Sequence, residues 1–182
     1  MVTWNSHINA AAVGAILEDK ELKMKIYNPS DSARNLKLNR KFTFSLTDDP
    51  YLFYKASLTG WNTIGFQELN DHEIKTEGDF HYPSKSTVVY LSKLEDTRET
   101  IVKDVLGRSR ITEVKAQIIK KIGEGEHIQR EDPFVDAMVY ASRVHLADEE
   151  YQKKLKEKIY TILENQEGPI KGKILGYVEG CQ

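Results

Sequence analysis

Residues 26–47 read IYNPSDSARNLKLNRKFTFSLT, and the fold of the surrounding chain is organised around this stretch. Its first two residues close an alternation of apolar and basic side chains, and residues 28–32 are all turn-forming types. A short helix is predicted over Ala33–Leu38, capped by Asp31 or Ser32, because Asp and Ser are preferred helix caps. A strand over Lys41–Thr47 follows, with Phe and Thr alternating. The stretch therefore predicts a strand, a turn, a short helix and a second strand.

The start of this helix is a candidate anion site. Unpaired backbone N–H groups and the positive end of the helix dipole coincide at a helix start. The serine hydroxyls add donors, and Arg34 and Arg40 add positive charge. The pattern favours a bound phosphate. An ordinary strand-to-helix turn would contain the same residues, since serine-rich caps are common, and the residues alone leave both interpretations open.

The composition is that of a soluble globular protein. The chain has 182 residues, of which 40 % are hydrophobic and 30 % are charged, enough for one domain or a domain with an appendage. The formal net charge of −2 argues against nucleic acid as a partner. No apolar run approaches the roughly 20 residues of a membrane span, and the N-terminus lacks the pattern of a signal peptide. A cytoplasmic protein without a membrane partner is predicted.

Cysteine and histidine usage argues against a metal site. The only cysteine is Cys181, so neither a disulfide framework nor a thiolate metal site is expected. The five histidines are scattered, and no pair has metal-ligand spacing on a helix. No metal site is predicted.

A segment of small residues precedes a predicted hairpin. Ala15–Leu17 and Leu22–Ile26 flank a polar turn, and the second strand alternates apolar and basic residues. The segment Asn9–Gly14 before them is built mainly of Ala and Gly, which would allow a flat ligand to approach the main chain. A tightly packed barrel strand would have the same composition. Both interpretations stay open on the residues alone.

The remainder of the chain reads as further strands and then helices. Asp48-Asp49-Pro50 predicts a helix start, and Gly60 predicts its end. Strands are predicted over residues 86–94, 100–106 and 112–118. Helices are predicted from Pro133 to Leu146, after Asp148, and from Pro169. The strands suggest a barrel, and the helices suggest an antiparallel hairpin packed on it.

Four segments resemble one known family. Residues 9–14 (NAAAVG) are similar to Asn-Ala-Ala-Pro-Met-Gly, and residues 30–36 (SDSARNL) to a hydroxyl-rich turn that ends in Asn-Leu. Residues 45–53 (SLTDDPYLF) are similar to a strand end with an Asp-Asp-Pro helix start, and residues 137–146 (AMVYASRVHL) to a C-terminal helix that carries an arginine. The chain thus resembles the FMN-binding split-barrel superfamily, and within it a mainly archaeal flavoprotein family known only as a domain of unknown function.

This resemblance implies an architecture and an assembly. The fold class would be α+β, a mostly antiparallel split β-barrel with short helices and a C-terminal helical hairpin. Residues 1–125 would form the FMN-binding split barrel, and residues 126–182 a C-terminal helical extension packed on the barrel. A homodimer with the flavin at the subunit interface is implied as well.

The resemblance also implies the residues of a flavin site. The phosphate would contact Ser30, Ser32 and Asn35, with Arg34 as a possible counter-ion. Arg143 would be a phosphate partner or a cap to the site. The isoalloxazine ring would be lined, through backbone groups, by Asn9, Ala10, Ala11, Ala12, Ser45, Leu46 and Thr47. This sequence has Ala12 and Val13 where relatives usually carry Pro and Met, and backbone contacts do not require those side chains.

The leading hypothesis is a cytoplasmic FMN-binding oxidoreductase, in which the cofactor supplies the redox chemistry. The alternative is a non-catalytic carrier or sensor, or a split barrel that holds another phosphorylated ligand; a structural dimer without a cofactor is a third hypothesis.

No catalytic acid or base is predicted. His7 could donate a proton, although a lone histidine is more often structural. Trp61 and Phe66 could stack on a ligand, although such residues more often belong to a core or a lid.

Overall fold

The computed structural model describes residues 1–60, 65–104, 107–125 and 132–181. The chain divides into two compact units, one made of Met1–Asp49 and Gly60–Gly125 and the other of Pro50–Thr59 with residues 126–182. The sequence-based boundary at residue 125 assigned residues 50–59 to the barrel, whereas the structure groups this helix with the C-terminal helices. The packing of the C-terminal helices on the barrel stays a prediction.

The first unit carries the strands. In its described residues the strands are β1 (Val2–Trp4), β2 (Ile8–Ala10), β3 (Ala15–Glu18), β4 (Glu21–Asn28), β5 (Lys41–Leu46), β6 (Ile74–Glu77), β7 (Phe80–Pro83), β8 (Val88–Asp104) and β9 (Gly107–Ile122). Helix α1 spans Asp31–Asn39, and a 3-10 helix spans Asp71–Glu73. The hairpin predicted around the polar turn is confirmed as β3 and β4.

The strands form an open antiparallel sheet. Seven of them pair in the order β2-β1-β5-β8-β9-β4-β3, while β6 and β7 form a separate two-stranded sheet. Every strand pairing in the described residues is antiparallel. β2 and β3 are the two outer strands, and the sheet is not closed between them. The predicted fold class, a mostly antiparallel split barrel with helices, is confirmed.

The alternation in β4 explains how α1 is held on the sheet. Leu22, Met24 and Ile26 are buried, whereas Lys23 and Lys25 between them are exposed. The buried side chains pack in one cluster with residues of α1 and β5, namely Ala33, Leu36 and Phe42. This burial fixes the face that α1 presents to the sheet.

The start of α1 differs from the prediction. Its cap is Ser30, whose side chain accepts a hydrogen bond from the Ala33 N–H, so the predicted caps Asp31 and Ser32 are the first two helical residues instead. Arg40 lies at the opposite end of α1, about 13 Å away at 1.5 Å per residue. Its guanidinium donates to the carbonyl oxygens of Leu94 and Glu95 at 3.2 and 3.1 Å. Arg40 therefore adds no charge to the start of the helix.

The structure joins two separately predicted strands into the single strand β8. Residues 86–94 and 100–106 were expected to be separate, but β8 runs from Val88 to Asp104 and pairs with β9 along its length. The residues between the two predicted strands include no Gly or Pro, and the chain accommodates them with irregularities at Leu91/Ser92 and Leu94/Asp96. Residues 105–106, at the end of the second predicted strand, lie outside the described residues.

The second unit is helical. It contains α2 (Pro50–Leu58), α3 (Pro133–Val144), α4 (Glu149–Leu163) and α5 (Pro169–Gly180). Asp132 and Asp148 cap α3 and α4 through their side chains, which confirms both predicted helix starts. The buried stripe of α4 (Leu155, Ile159 and Leu163) packs in one cluster with buried residues of α2, α3 and α5. In the described ranges, no helix has the length and apolar character needed to cross a membrane.

The close approach of Gly123 to the main chain of Thr87 gives a test of the fold. Gly123 has a φ of +85°, and an added Cβ would overlap the carbonyl oxygen of Thr87. Gly123→Ala is expected to lower the free energy of unfolding by at least about 2 kcal/mol, because overpacking adds to the cost of a left-handed conformation. The measurement is urea denaturation.

Gly78→Ala is the matched control. Gly78 has a φ of +57°, and an added Cβ would meet nothing within 4 Å. This variant is expected to lose only about 1 kcal/mol, the cost of the left-handed conformation alone. Equal losses in the two variants would contradict the packing described for Gly123.

Candidate functional site

The start of α1 offers one hydroxyl and one cation at the protein surface. Ser30 is half-buried, and its hydroxyl oxygen accepts a hydrogen bond from the Ala33 N–H at 3.2 Å, which leaves the hydroxyl hydrogen available for donation. Arg34 is exposed one turn further along the helix. The N-terminal end of the helix dipole lies at the same place. These groups are the accessible part of the predicted anion site.

Asp31 controls the charge at this point. Its carboxylate lies 3.1 Å from the Arg34 guanidinium and accepts a hydrogen bond from the Gly65 N–H at 2.8 Å. It also lies 3.5 Å from Nε2 of His7, within ion-pair range but too long for a well-formed hydrogen bond. The carboxylate would repel a phosphate, and its neighbouring donors and cation offset part of that repulsion.

The predicted residues Ser32 and Asn35 face the interior. Ser32 is buried, and its hydroxyl donates to Oδ1 of Asn9 at 2.6 Å. Asn35 is also buried, and its Nδ2 donates to the hydroxyl of Thr3 at 3.3 Å. The structure thus brings Ser32, Asn35 and Asn9 together in one hydrogen-bonded network that also includes Thr3. Their contact with a phosphate stays a prediction, and it would require Ser32 to exchange its bond to Asn9.

Glu68 completes this polar network. One oxygen of its carboxylate accepts from Nδ2 of Asn9 at 3.0 Å, and the other accepts from the Ala10 N–H at 2.7 Å. Burial raises the pKa of the Glu68 carboxyl, and the nearby charge of Asp31 adds to the effect. Glu68 was not predicted from the sequence, since a single acidic residue in a loop gives no pattern.

β5 and β2 run in the same direction, so the end of β5 lies at the same end of the sheet as the small-residue segment. β5 pairs with β1 and β1 pairs with β2, so the two segments lie two strands apart, about 10 Å at 4.8 Å per strand. The carbonyl oxygen of Leu46 accepts from the Thr87 N–H at 2.9 Å, and the Thr47 hydroxyl donates to the carbonyl oxygen of Lys85 at 3.0 Å. Ser45 Oγ is buried and has no hydrogen-bond partner among the described residues.

The other ring-lining candidates and Arg143 occupy different surroundings. Ala11 is half-buried and its N–H donates to the carbonyl oxygen of Met1, while Ala12 is exposed. Arg143 lies exposed in the last turn of α3, in the second unit, and its role at the site stays a prediction. Phe66 is exposed, and Trp61 lies outside the described residues.

A groove lies next to the small-residue segment. Its volume is about 590 Å³, and it runs across β3, β4, β8 and β9. None of the residues predicted to bind a ligand lines it. Its lining includes Gly14, Ile16, Lys23, Lys25, Arg98 and Lys115. In the part of the chain that the structure describes, no three His, Cys, Asp or Glu side chains are grouped to hold a metal ion.

The bond between Ser32 and Asn9 can be tested through stability. Ser32→Ala would leave the buried Oδ1 of Asn9 without its 2.6 Å donor, and the next donor, the Thr3 hydroxyl, is at 3.5 Å. The free energy of unfolding is therefore expected to fall by about 1–3 kcal/mol, as measured by urea denaturation. Ser6→Ala is the control: Ser6 is exposed, and its loss is expected to change stability by less than about 0.5 kcal/mol. Equal stability of the two variants would contradict the assignment.

Comparison with known proteins identifies the family. The family described as "Protein of unknown function (DUF447) N-terminal domain" matches residues 1–124. No curated protein sequence matches the chain. The match confirms the resemblance to a family of unknown function that the four sequence segments indicated.

Solved structures share the fold. An FMN-bound DUF447-family protein from Methanosarcina mazei is similar over 100 % of this chain and 92 % of its own, with 17 % identity and a TM-score of 0.70. A flavoredoxin from Methanosarcina acetivorans is similar over 70 % of this chain and 68 % of its own (10 % identity, TM-score 0.51). A Shewanella frigidimarina protein assigned as a flavin reductase with a split barrel domain is similar over 71 % and 68 % (14 % identity, TM-score 0.51). Since its family match spans more than half of its length, the chain belongs to the DUF447 family.

Proposed function

We propose that this protein binds FMN as its cofactor. The observation that carries the proposal is the combination of family and fold: a structure from the same family, similar over the whole of this chain, is FMN-bound. The split-barrel architecture is shared with further flavoprotein structures. FMN supplies electron transfer when bound, and the protein supplies binding and orientation.

The residues present fit such a ligand. Among the described residues, His7 Nε2 and Ser45 Oγ are buried polar atoms without a hydrogen-bond partner. An unsatisfied buried group costs about 1–3 kcal/mol, so a polar ligand that bonded either atom would recover that free energy. Ser45 is also one of the residues that the family resemblance assigns to the ring. Of the two atoms, Ser45 Oγ is the one that fits a polar group of the bound flavin, because His7 Nε2 lies 3.5 Å from the carboxylate of Asp31.

Ser30 and Arg34 are proposed to hold the phosphate. Both are accessible, and they lie within the first turn of α1 and its cap. Arg34 keeps donors beyond its contact with Asp31, because a guanidinium has five N–H groups. Charge-assisted hydrogen bonds to phosphate are about twice as strong as neutral ones. Ser32 and Asn35 then contribute by fixing Asn9 and Thr3, with which they share hydrogen bonds.

The main chain of residues 10–12 is proposed to face the isoalloxazine ring. Its side chains are methyl groups, so the ring can approach the main chain closely. The Ala10 N–H is bonded to Glu68 and Ala11 is bonded to Met1, so the exposed Ala12 is the residue proposed to offer its peptide groups to the ring. Apolar burial of the ring contributes about 25 cal/mol per Å². As part of the same proposal, the protein is an oxidoreductase that carries its flavin at a homodimer interface. The fold shared with the Shewanella frigidimarina protein supports the oxidoreductase role. The family resemblance supports the flavin at a homodimer interface.

The composition of the purified protein tests the cofactor. We expect yellow protein that releases a molecule with the mass of FMN on denaturation. If the protein is an oxidoreductase that uses nicotinamides, the flavin absorbance will bleach when NADH or NADPH is added without oxygen. Yellow protein that is inert to both would favour the carrier function. Colourless protein that does not bind added FMN would overturn the proposal.

Arg34→Ala tests the phosphate end separately. It is expected to weaken FMN binding by about tenfold, the loss of one charge-assisted interaction, and to leave riboflavin binding unchanged because riboflavin has no phosphate. The measurement is titration of apoprotein with each flavin, followed by flavin fluorescence. Lys153→Ala, on the exposed face of α4, is expected to leave both affinities unchanged. An equal loss of both flavins in Arg34→Ala would contradict the assignment of Arg34.

A further inference from the structure

Strand β2 forms an open edge of the sheet, and Ala10 directs its N–H away from β1. Met1 and Ala11 exchange two main-chain hydrogen bonds of 2.8 and 2.9 Å, so they form a hydrogen-bonded pair of the antiparallel ladder. Such pairs alternate with pairs that share no hydrogen bond, and Ala10 is paired with Val2 in the next position. The Ala10 N–H therefore points away from β1, in the plane of the sheet, and lies at its open edge.

Glu68 occupies this edge with both carboxylate oxygens. One oxygen accepts a hydrogen bond from the Ala10 N–H at 2.7 Å, and the other accepts one from Nδ2 of Asn9 at 3.0 Å. Oδ1 of Asn9 accepts from Ser32 at 2.6 Å. Both polar atoms of the Asn9 amide are thus bonded, one to α1 and one to Glu68. The orientation of Asn9 and Ala10 is fixed from two sides.

The segment that carries Glu68 is itself attached to α1. The Gly65 N–H donates to Asp31 at 2.8 Å, so residues 65–68 connect the first turn of α1 with the edge of β2. Holding a carboxylate here is costly, because burial and the charge of Asp31 both disfavour its ionised form. A neutral side chain of similar size would avoid that cost. A carboxylate offers two acceptor oxygens, so the negative charge of Glu68 is explained if Asn9 Nδ2 and the Ala10 N–H must both be bonded at once.

We propose that Glu68 is a positioning residue for the flavin ring. By holding Asn9 and Ala10 at the end of β2, it sets the direction in which the main chain leaves this strand and faces the ring at the exposed Ala12. The inference rests on the proposed binding of FMN. Glu68 acts through Asn9 and Ala10, and it is distinct from the phosphate-side residues Ser30 and Arg34. It should therefore affect FMN and riboflavin alike.

The test compares both flavins in Glu68→Gln. A glutamine keeps the size of the side chain but offers one acceptor oxygen, so its NH2 group opposes one of the two donors. Loss of one such hydrogen bond is expected to raise the Kd of FMN and of riboflavin by about tenfold each, with their ratio unchanged. At saturating FMN, the visible absorption bands of the bound flavin are expected to shift, because the surroundings of the ring have changed.

Several results would overturn the inference. Wild-type affinity for both flavins would do so, as would a loss confined to FMN. Weaker binding with an unchanged spectrum of the bound flavin would show a structural role only. Glu99→Gln is the control, since Glu99 is exposed and paired with Lys37 on the surface, and it should match the wild type. Failure of the wild type to bind either flavin would instead refute the proposed cofactor.

A measurement on the wild type covers the case in which Glu68→Gln does not fold. A protonated carboxyl keeps one acceptor oxygen, so riboflavin affinity is expected to fall as the pH is lowered through the pKa of Glu68. The charged groups on the neighbouring elements are Asp31 and Arg34 of α1 and His7 between β1 and β2. Where Glu68→Gln folds, its affinity should lack this pH dependence. An affinity that is constant with pH in the wild type would overturn the inference.

Discussion

The hydrogen bonds of the Asn9 side chain connect the three segments from which the candidate site is built. Its Oδ1 accepts from Ser32 in α1, and its Nδ2 donates to Glu68 in the loop before the 3-10 helix. Asn9 itself lies in β2, and its side chain is buried. Satisfied networks of buried polar groups are rigid and specify one arrangement, whereas a missing member leaves an unpaired group at a cost. This one amide therefore links helix, edge strand and loop, and it acts together with the apolar packing of α1 and the bond between Gly65 and Asp31.

Regular patterns predicted the elements of the fold. The alternation of Leu22, Lys23 and Met24 predicted a half-buried strand, and the Asp132-Pro133 pair predicted the start of α3; both are confirmed. The irregular part of α1 was predicted less well. The cap is Ser30 and not Asp31 or Ser32, so Ser32 is a helical residue. Because each helical residue turns about 100°, this shift directs its hydroxyl to Asn9 in the sheet. The hydrophobic contacts that decide this rotation are not local in sequence.

Long-range polar contacts were beyond prediction for a related reason. Glu68 is separated by 59 and 58 residues from Asn9 and Ala10, which it contacts. Family resemblance pointed to two members of the network, Asn9 and Ser32, but the sequence gave no signal for the carboxylate of Glu68 that bonds Asn9 and Ala10. A single acidic residue in a loop is usually solvated. Only the register of β1 and β2, which turns the Ala10 N–H outward, explains why an acceptor is needed there.

The groove and the start of α1 are two places where an anionic ligand could bind, and they differ in how far their positive charges are compensated. In the groove, the lysines are largely compensated: Lys23 lies 2.6 Å from Glu18, and Lys115 lies 2.7 Å from Glu21. At α1, the positive groups are Arg34 and the helix end, opposed by Asp31. We assign the phosphate to α1 because the accessible hydroxyl of Ser30 and the positive end of the helix dipole add to the charge of Arg34 there.

An experimentally determined structure of the protein with FMN bound is the most direct test of this account. We expect a phosphate oxygen within hydrogen-bond distance of Ser30 Oγ or the Arg34 guanidinium, with the ring edge against the main chain of residues 10–12. A phosphate bound by the groove lysines, or a ring remote from residues 10–12, would contradict it.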